Sequence, residues 1–130
     1  LHNQAVTGVD QQSAYLLRYG GDGMAVLSSS FTAGIVVDAQ ITGSHGRIHL
    51  LPWFIGCSRA VLYDDGGAVV EDISLPIDED NGFSFETQEV VDCLLEGKTE
   101  SPVMPLDESL TLMRTMDQMR TSWGLSYPGE

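Results

Sequence analysis

The sequence predicts an α+β fold: an open, mainly antiparallel sheet of about six strands, with two C-terminal helices packed on one face. Three observations predict it. Short β-rich runs alternate with Gly/Asp turns through the first 75 residues. The periodicity then turns helical beyond Pro76, and Gly97 and Gly124 stand where helix C-termini favour a left-handed residue. Strands first and helices last describe helices laid over a sheet, not alternating βαβ units.

The elements follow in order. Ser13 to Tyr19 and Met24 to Phe31 flank Gly20-Gly21-Asp22-Gly23 and read as a hairpin. Ile35 to Thr42 passes through Gly43-Ser44-His45-Gly46 into Arg47 to Leu51, and Ala60 to Tyr63 pairs with Ala68 to Leu75 across Asp64-Asp65-Gly66-Gly67. Val90, Val91, Leu94 and Leu95 recur at helical spacing. After Pro105 a second helix opens with Asp107 and Glu108 in its first turn, where the helix dipole favours acids. Leu112, Met116, Met119 and Trp123 give it a broad apolar face, read as core. Two helices cover one face of such a sheet. The other face also carries Val, Ile, Leu and Phe, and is expected to be buried by something outside the chain.

The 130 residues suit a single domain, 1–130, with 42% apolar residues as in a globular protein. Net charge is −13, and three of the nineteen acids (Asp10, Asp22, Asp38) fall in the first 63 residues. Such a chain repels phosphate backbones and anionic lipid, so neither nucleic acid nor membrane is expected as a partner. No apolar run approaches the roughly 18–20 residues of a membrane span, and no retained signal peptide is evident. Cys57 and Cys93 are far apart without metal-type spacing and read as free thiols in a reducing cytoplasm. The chain starts at Leu1 rather than Met, as an excised piece of a longer protein would.

No complete active site emerges from the residues. Gly20-Gly21-Asp22-Gly23 is a hairpin turn by position, not a phosphate loop opening a helix. Lys98, the only lysine, follows a helix C-terminus. His45 (turn) and His49 (edge strand) lie near Asp38 in sequence, but no helix sets the imidazoles on one face and no third metal ligand is apparent. Ser28-Ser29-Ser30 lacks a nucleophile context, and Asp78-Glu79-Asp80 lacks the calcium-loop pattern. Pro52-Trp53-Phe54 stands apart, with two large aromatics just past a strand. Such a loop either lines a pocket or interface or caps the core.

From Asn81 onward the chain resembles a known family. The motifs are Gly82-Phe83 ahead of Glu86 and Glu89-Val90, then Glu96-Gly97-Lys98, Glu100-Ser101-Pro102, Met104-Pro105, Met113 to Arg120 and Trp123-Gly124-Leu125-Ser126-Tyr127-Pro128. Together with Gly43 to Ile48 and the Pro52-aromatic loop, they look like the C-terminal domain of Gfo/Idh/MocA oxidoreductases, in the dihydrodiol and D-xylose dehydrogenase branch. The resemblance covers residues ~10–128. It implies a longer protein with an N-terminal Rossmann domain absent from this chain, NAD or NADP as cofactor, and a sugar, polyol or diol as substrate. The family's cofactor fingerprint, its Glu-Lys-Pro lysine and its catalytic His or Tyr all precede the point where this chain begins. The chain would therefore supply a substrate-pocket wall and a dimer surface, hold no catalytic residue, cofactor or metal, and be inactive alone. It implies Trp53, Phe54 and Phe83 as substrate-facing residues and a homodimer through the sheet face. The competing reading is a stand-alone, non-catalytic binding or assembly module.

Overall fold

The computed structural model describes residues 1–75 and 83–127. The α+β class and the antiparallel meander are borne out, with seven strands in two open sheets among the described residues. The chain folds as two compact units, one of Leu1–Ile35 with Glu100–Glu130, the other of Val36–Thr99.

In the first unit β1 (His2–Gln4), β2 (Asp10–Arg18) and β3 (Met24–Ser30) form a three-stranded antiparallel sheet with β2 in the middle. The β2–β3 hairpin has the expected turn, closed by the Tyr19 amide donating to the Gly23 carbonyl at 2.9 Å. Strand alternation puts Ser13, Tyr15 and Leu17 on one face and Ala14, Leu16 and Arg18 on the other. The first face meets α2 (Leu106–Trp123): the Trp123 ring stacks on His2 at 4.8 Å and lies 5.3 Å from Tyr15. The second face is bare, with Leu16 73% and Val26 82% exposed. α2 ends as expected, Gly124 taking φ 66°, and Tyr127 beyond it donates to the Asp10 carboxylate at 3.3 Å. Trp123 is largely covered, whereas Leu112 and Met116, read as core, stay about half exposed within this chain.

In the second unit β4 (Ala39–Gly43), β5 (Gly46–Leu50), β6 (Arg59–Asp64) and β7 (Val69–Ser74) pair in sequence order. The register sorts the side chains by face. Gln40, His49, Val61 and Asp72 share one row; Ile41, Ile48, Leu62 and Glu71 form the next, on the opposite side. Around Val61, buried at 4% exposure, the first face gathers paired polar groups: His49 with Asp38, Arg59 with Asp72, and the Arg47 guanidinium 4.2 Å over the Tyr63 ring. The second face is aliphatic and open, Ile41 being 61% exposed. α1 (Ser84–Leu95) follows, and Gly97 at φ 70° ends it as expected. The interior strand β5 carries His49, which corrects the sequence expectation of an edge-strand histidine.

Ile35 to Asp38, expected to begin a strand, is irregular, and the β4 ladder starts only at Ala39. The cause is local. The Val37 carbonyl accepts the Trp53 amide at 2.7 Å and the Phe54 amide at 3.3 Å, and the Asp38 carboxylate is bound to His49.

Gly46 opens β5 at φ 143°, and a Cβ there would sit 2.1 Å from the Tyr63 carbonyl oxygen. Gly46→Ala is expected to destabilise the fold by about 3 kcal/mol through backbone strain and overpacking, read as a lowered urea midpoint at unchanged slope.

Candidate functional site

The aromatic loop grows directly out of β5. Leu51 donates to the Arg59 carbonyl at 3.1 Å, the last rung shared with β6, and Pro52 then cannot donate. Released from the ladder, the chain turns sharply through a single 3-10 turn, Phe54–Gly56, closed by the Gly56 amide on the Trp53 carbonyl at 2.9 Å. Trp53 caps that turn at φ 70°, ψ 43°, the one non-glycine residue with positive φ among the described residues. A bulky side chain in the left-handed region costs about 1–3 kcal/mol and persists only where its surroundings fix it. Here the fixing group is the Val37 carbonyl, shared by two consecutive amides. The strained backbone turns the indole to solvent: Trp53 is 73% exposed, Phe54 37% and Ile55 83%. Of the two sequence readings for this loop, a core cap is therefore the wrong one for Trp53. The ring is open to solvent on a backbone that the Val37 carbonyl tethers.

Phe83 lies at the N-cap of α1 and is also exposed, its carbonyl accepting the Thr87 amide at 3.1 Å and hydroxyl at 3.0 Å. Among the described residues no ring contact joins it to Trp53 or Phe54. The structure thus unites Trp53 and Phe54 on one loop and leaves Phe83 apart from them.

Beside the loop stands a pair that sequence reasoning weighed only as metal ligands. His49 Nε2 and Asp38 Oδ2 are 2.8 Å apart, each side chain about a quarter exposed. His45 remains in the Ser44-His45 turn, and among the described residues no third acid, thiol or imidazole joins the pair. Asp78, Glu79 and Asp80 lie outside the described residues.

Cys93 is buried on α1, where burial first and then its hydrogen bond to Glu89 push the thiol up, so it is poorly nucleophilic. Cys57 ends the aromatic loop as a free thiol. The Gly20-to-Gly23 turn joins two antiparallel strands and leads into β3, not a helix. No helix among the described residues is long and apolar enough to cross a membrane.

Arg59 grips Asp72 with two bonds, Nε to Oδ1 at 3.0 Å and Nη2 to Oδ2 at 2.7 Å. The Arg59 hydrogen bonds hold the Asp72 carboxyl below its usual 3.8. A depressed carboxyl adds stability above its ordinary value and loses it as pH falls through the lowered one. Asp72→Asn should therefore flatten the decline in stability between about pH 5 and pH 3. The effect should be small and fade in salt, as for an exposed pair. Urea titrations at several pH values check it.

No family model matches the chain. It is 33% identical over 127 residues to trans-1,2-dihydrobenzene-1,2-diol dehydrogenase of Xenopus laevis, covering 94% of this chain and 38% of that protein. The human enzyme of the same name is 30% identical over 125 residues, covering 94% of this chain and 37% of it. D-xylose 1-dehydrogenase (NADP(+)) of Hypocrea jecorina is 27% identical over 139 residues, covering 97% and 36%. The chain thus spans little more than a third of the length of these curated relatives. With nearly all of its residues aligned to a portion of such oxidoreductases, the resemblance read from residues 81–128 is borne out: the chain is a homologue of part of the dihydrodiol and D-xylose dehydrogenases.

Proposed function

We propose that the chain is the C-terminal domain of an NAD(P)-dependent dehydrogenase of the Gfo/Idh/MocA type acting on a sugar, polyol or diol. It forms one wall of the substrate pocket and a subunit interface. The observation that carries this reading is the alignment of 94% of the chain with dihydrodiol dehydrogenases. The xylose relative, whose name includes NADP(+), supports the nicotinamide cofactor. That cofactor supplies hydride acceptance from a hydroxyl-bearing carbon, while a base outside this chain removes the hydroxyl proton. Neither the catalytic base nor the nucleotide site is placed on this chain, which is inactive by itself. Its contribution is shape. Trp53 and Phe54 present aromatic faces on which the C–H groups of a cyclic diol or sugar can lie, and Phe83, apart from them at the start of α1, keeps the substrate-facing role the family resemblance implies. Cys57 and Cys93, both free, suit a reducing cytoplasm.

The interface is assigned to the uncovered strand faces of each unit by itself, with a second copy of the chain as occupant. Leu16 and Val26 in one unit, and Ile41, Ile48 and Ile73 in the other, are among the apolar residues exposed on them.

Two measurements test this. In the full-length protein, Trp53→Ala should raise KM for the best diol or sugar substrate about tenfold or more, with a smaller change in kcat, the loss expected of an exposed aromatic platform. Unchanged kinetics would remove Trp53 from the pocket. Light scattering of the isolated chain across a concentration series should show a dimer. A monomer at every concentration would instead assign the apolar faces to the rest of the polypeptide or to another protein.

A further inference from the structure

We propose that Asp38 and His49 are positioning residues for the aromatic loop: together they fasten a strap, Val36 to Asp38, whose Val37 carbonyl holds Trp53 in its left-handed conformation. This rests on the proposed role of Trp53 in the substrate pocket. The strap itself rests on geometry alone.

Val36, Val37 and Asp38 belong to no strand, yet they are not free. Asp38 Oδ2 lies 2.8 Å from His49 Nε2, and His49 stands on β5 between Gln40 and Val61. One residue earlier, the Val37 carbonyl accepts both Trp53 N–H, at 2.7 Å, and Phe54 N–H, at 3.3 Å. A carbonyl has two lone pairs and here both are engaged by successive amides. Holding the acceptor still therefore holds both aromatic residues. The strap leads into β4 at Ala39, but its own residues have no ladder partner to fix them. A side-chain bond anchors it from Asp38 to β5, the strand from which the aromatic loop itself departs. Both ends of the loop's support thus trace back to β5: Leu50 continues into the loop, and His49 ties down the strap that receives it.

Positive φ at a tryptophan is unfavourable, so the loop relaxes when its acceptor moves. With the tether cut, the indole should lose its fixed direction while the sheet persists, because the β4–β5 and β5–β6 ladders do not depend on Asp38. Neutral histidine donating from Nε2 needs only an acceptor at position 38. Asp38→Asn is therefore expected to retain much of the function and Asp38→Ala to lose it. His49→Gln keeps a donor near the Nε2 position and His49→Val does not.

The test uses the full-length protein labelled with 5-fluorotryptophan, in which substitution of each residue assigns the Trp53 and Trp123 resonances. Asp38→Ala and His49→Val should shift or broaden the Trp53 signal, leave that of Trp123 in place, and raise KM about three- to tenfold at nearly constant kcat, as loss of one hydrogen bond predicts. Asp38→Asn and His49→Gln should restore both. A Trp53 signal unmoved by Asp38→Ala and by His49→Val overturns the strap. If the signal moves in these variants while KM does not change even for Trp53→Ala, the strap stands and the pocket assignment of Trp53 fails. If Trp53→Ala raises KM but the strap variants alter neither signal nor KM, the pocket stands and the strap fails.

Discussion

The antiparallel pairing of β5 with β4 on one side and β6 on the other is the constraint from which the second unit takes its form. Once the register aligns His49 with Gln40 and Val61, alternation dictates the rest: polar pairs on one face and Ile41, Ile48 and Leu62 on the other. Slipping β5 by one residue would turn His49 and Arg47 to the aliphatic side and separate them from Asp38 and Tyr63. The turn at Gly43 to Gly46 guards against this, because the approach of the Tyr63 carbonyl admits only glycine at the first residue of β5. A backbone contact remote from the loop therefore determines where the loop begins.

The same pairing explains why the two faces differ in what they need. The polar face completes itself: guanidinium on carboxylate, imidazole on carboxylate and guanidinium over phenol satisfy one another above Val61. Each bond is modest in water, but none leaves a buried polar group unpaired. The aliphatic face has no such internal solution. Its side chains can only be covered, and the chain leaves Ile41 and Ile73 substantially open.

Much of this was legible in the sequence. The β2–β3 hairpin announced itself through Gly20 to Gly23, and both helix ends through Gly97 and Gly124, because a left-handed backbone is a local requirement that few residues meet. The helical spacing of Val90, Val91, Leu94 and Leu95 placed α1 correctly. What escaped was non-local. Ile35 to Asp38 has strand-like composition, and nothing in it tells that the Val37 carbonyl serves Trp53 sixteen residues on instead of a neighbouring strand. The same blindness hid the Asp38–His49 pair, visible as two residues near in sequence but not as a bond from the segment before β4 to an inner strand. The reading of one six-stranded sheet likewise rested on composition, which cannot register where a ladder is interrupted. Trp53 and Phe54 were singled out because large aromatics after a strand are uncommon, yet their exposure depends on the torsion of a single residue.

That torsion sets ease of folding against usefulness at position 53. Glycine would occupy φ 70° without strain, and asparagine at lower cost than a bulkier residue, but neither carries the broad ring that the site presents. A sequence optimised for stability alone would drift toward the small residue and become more robust as it lost the exposed ring. Tryptophan at this point keeps a locally unfavourable backbone together with a ring open to solvent.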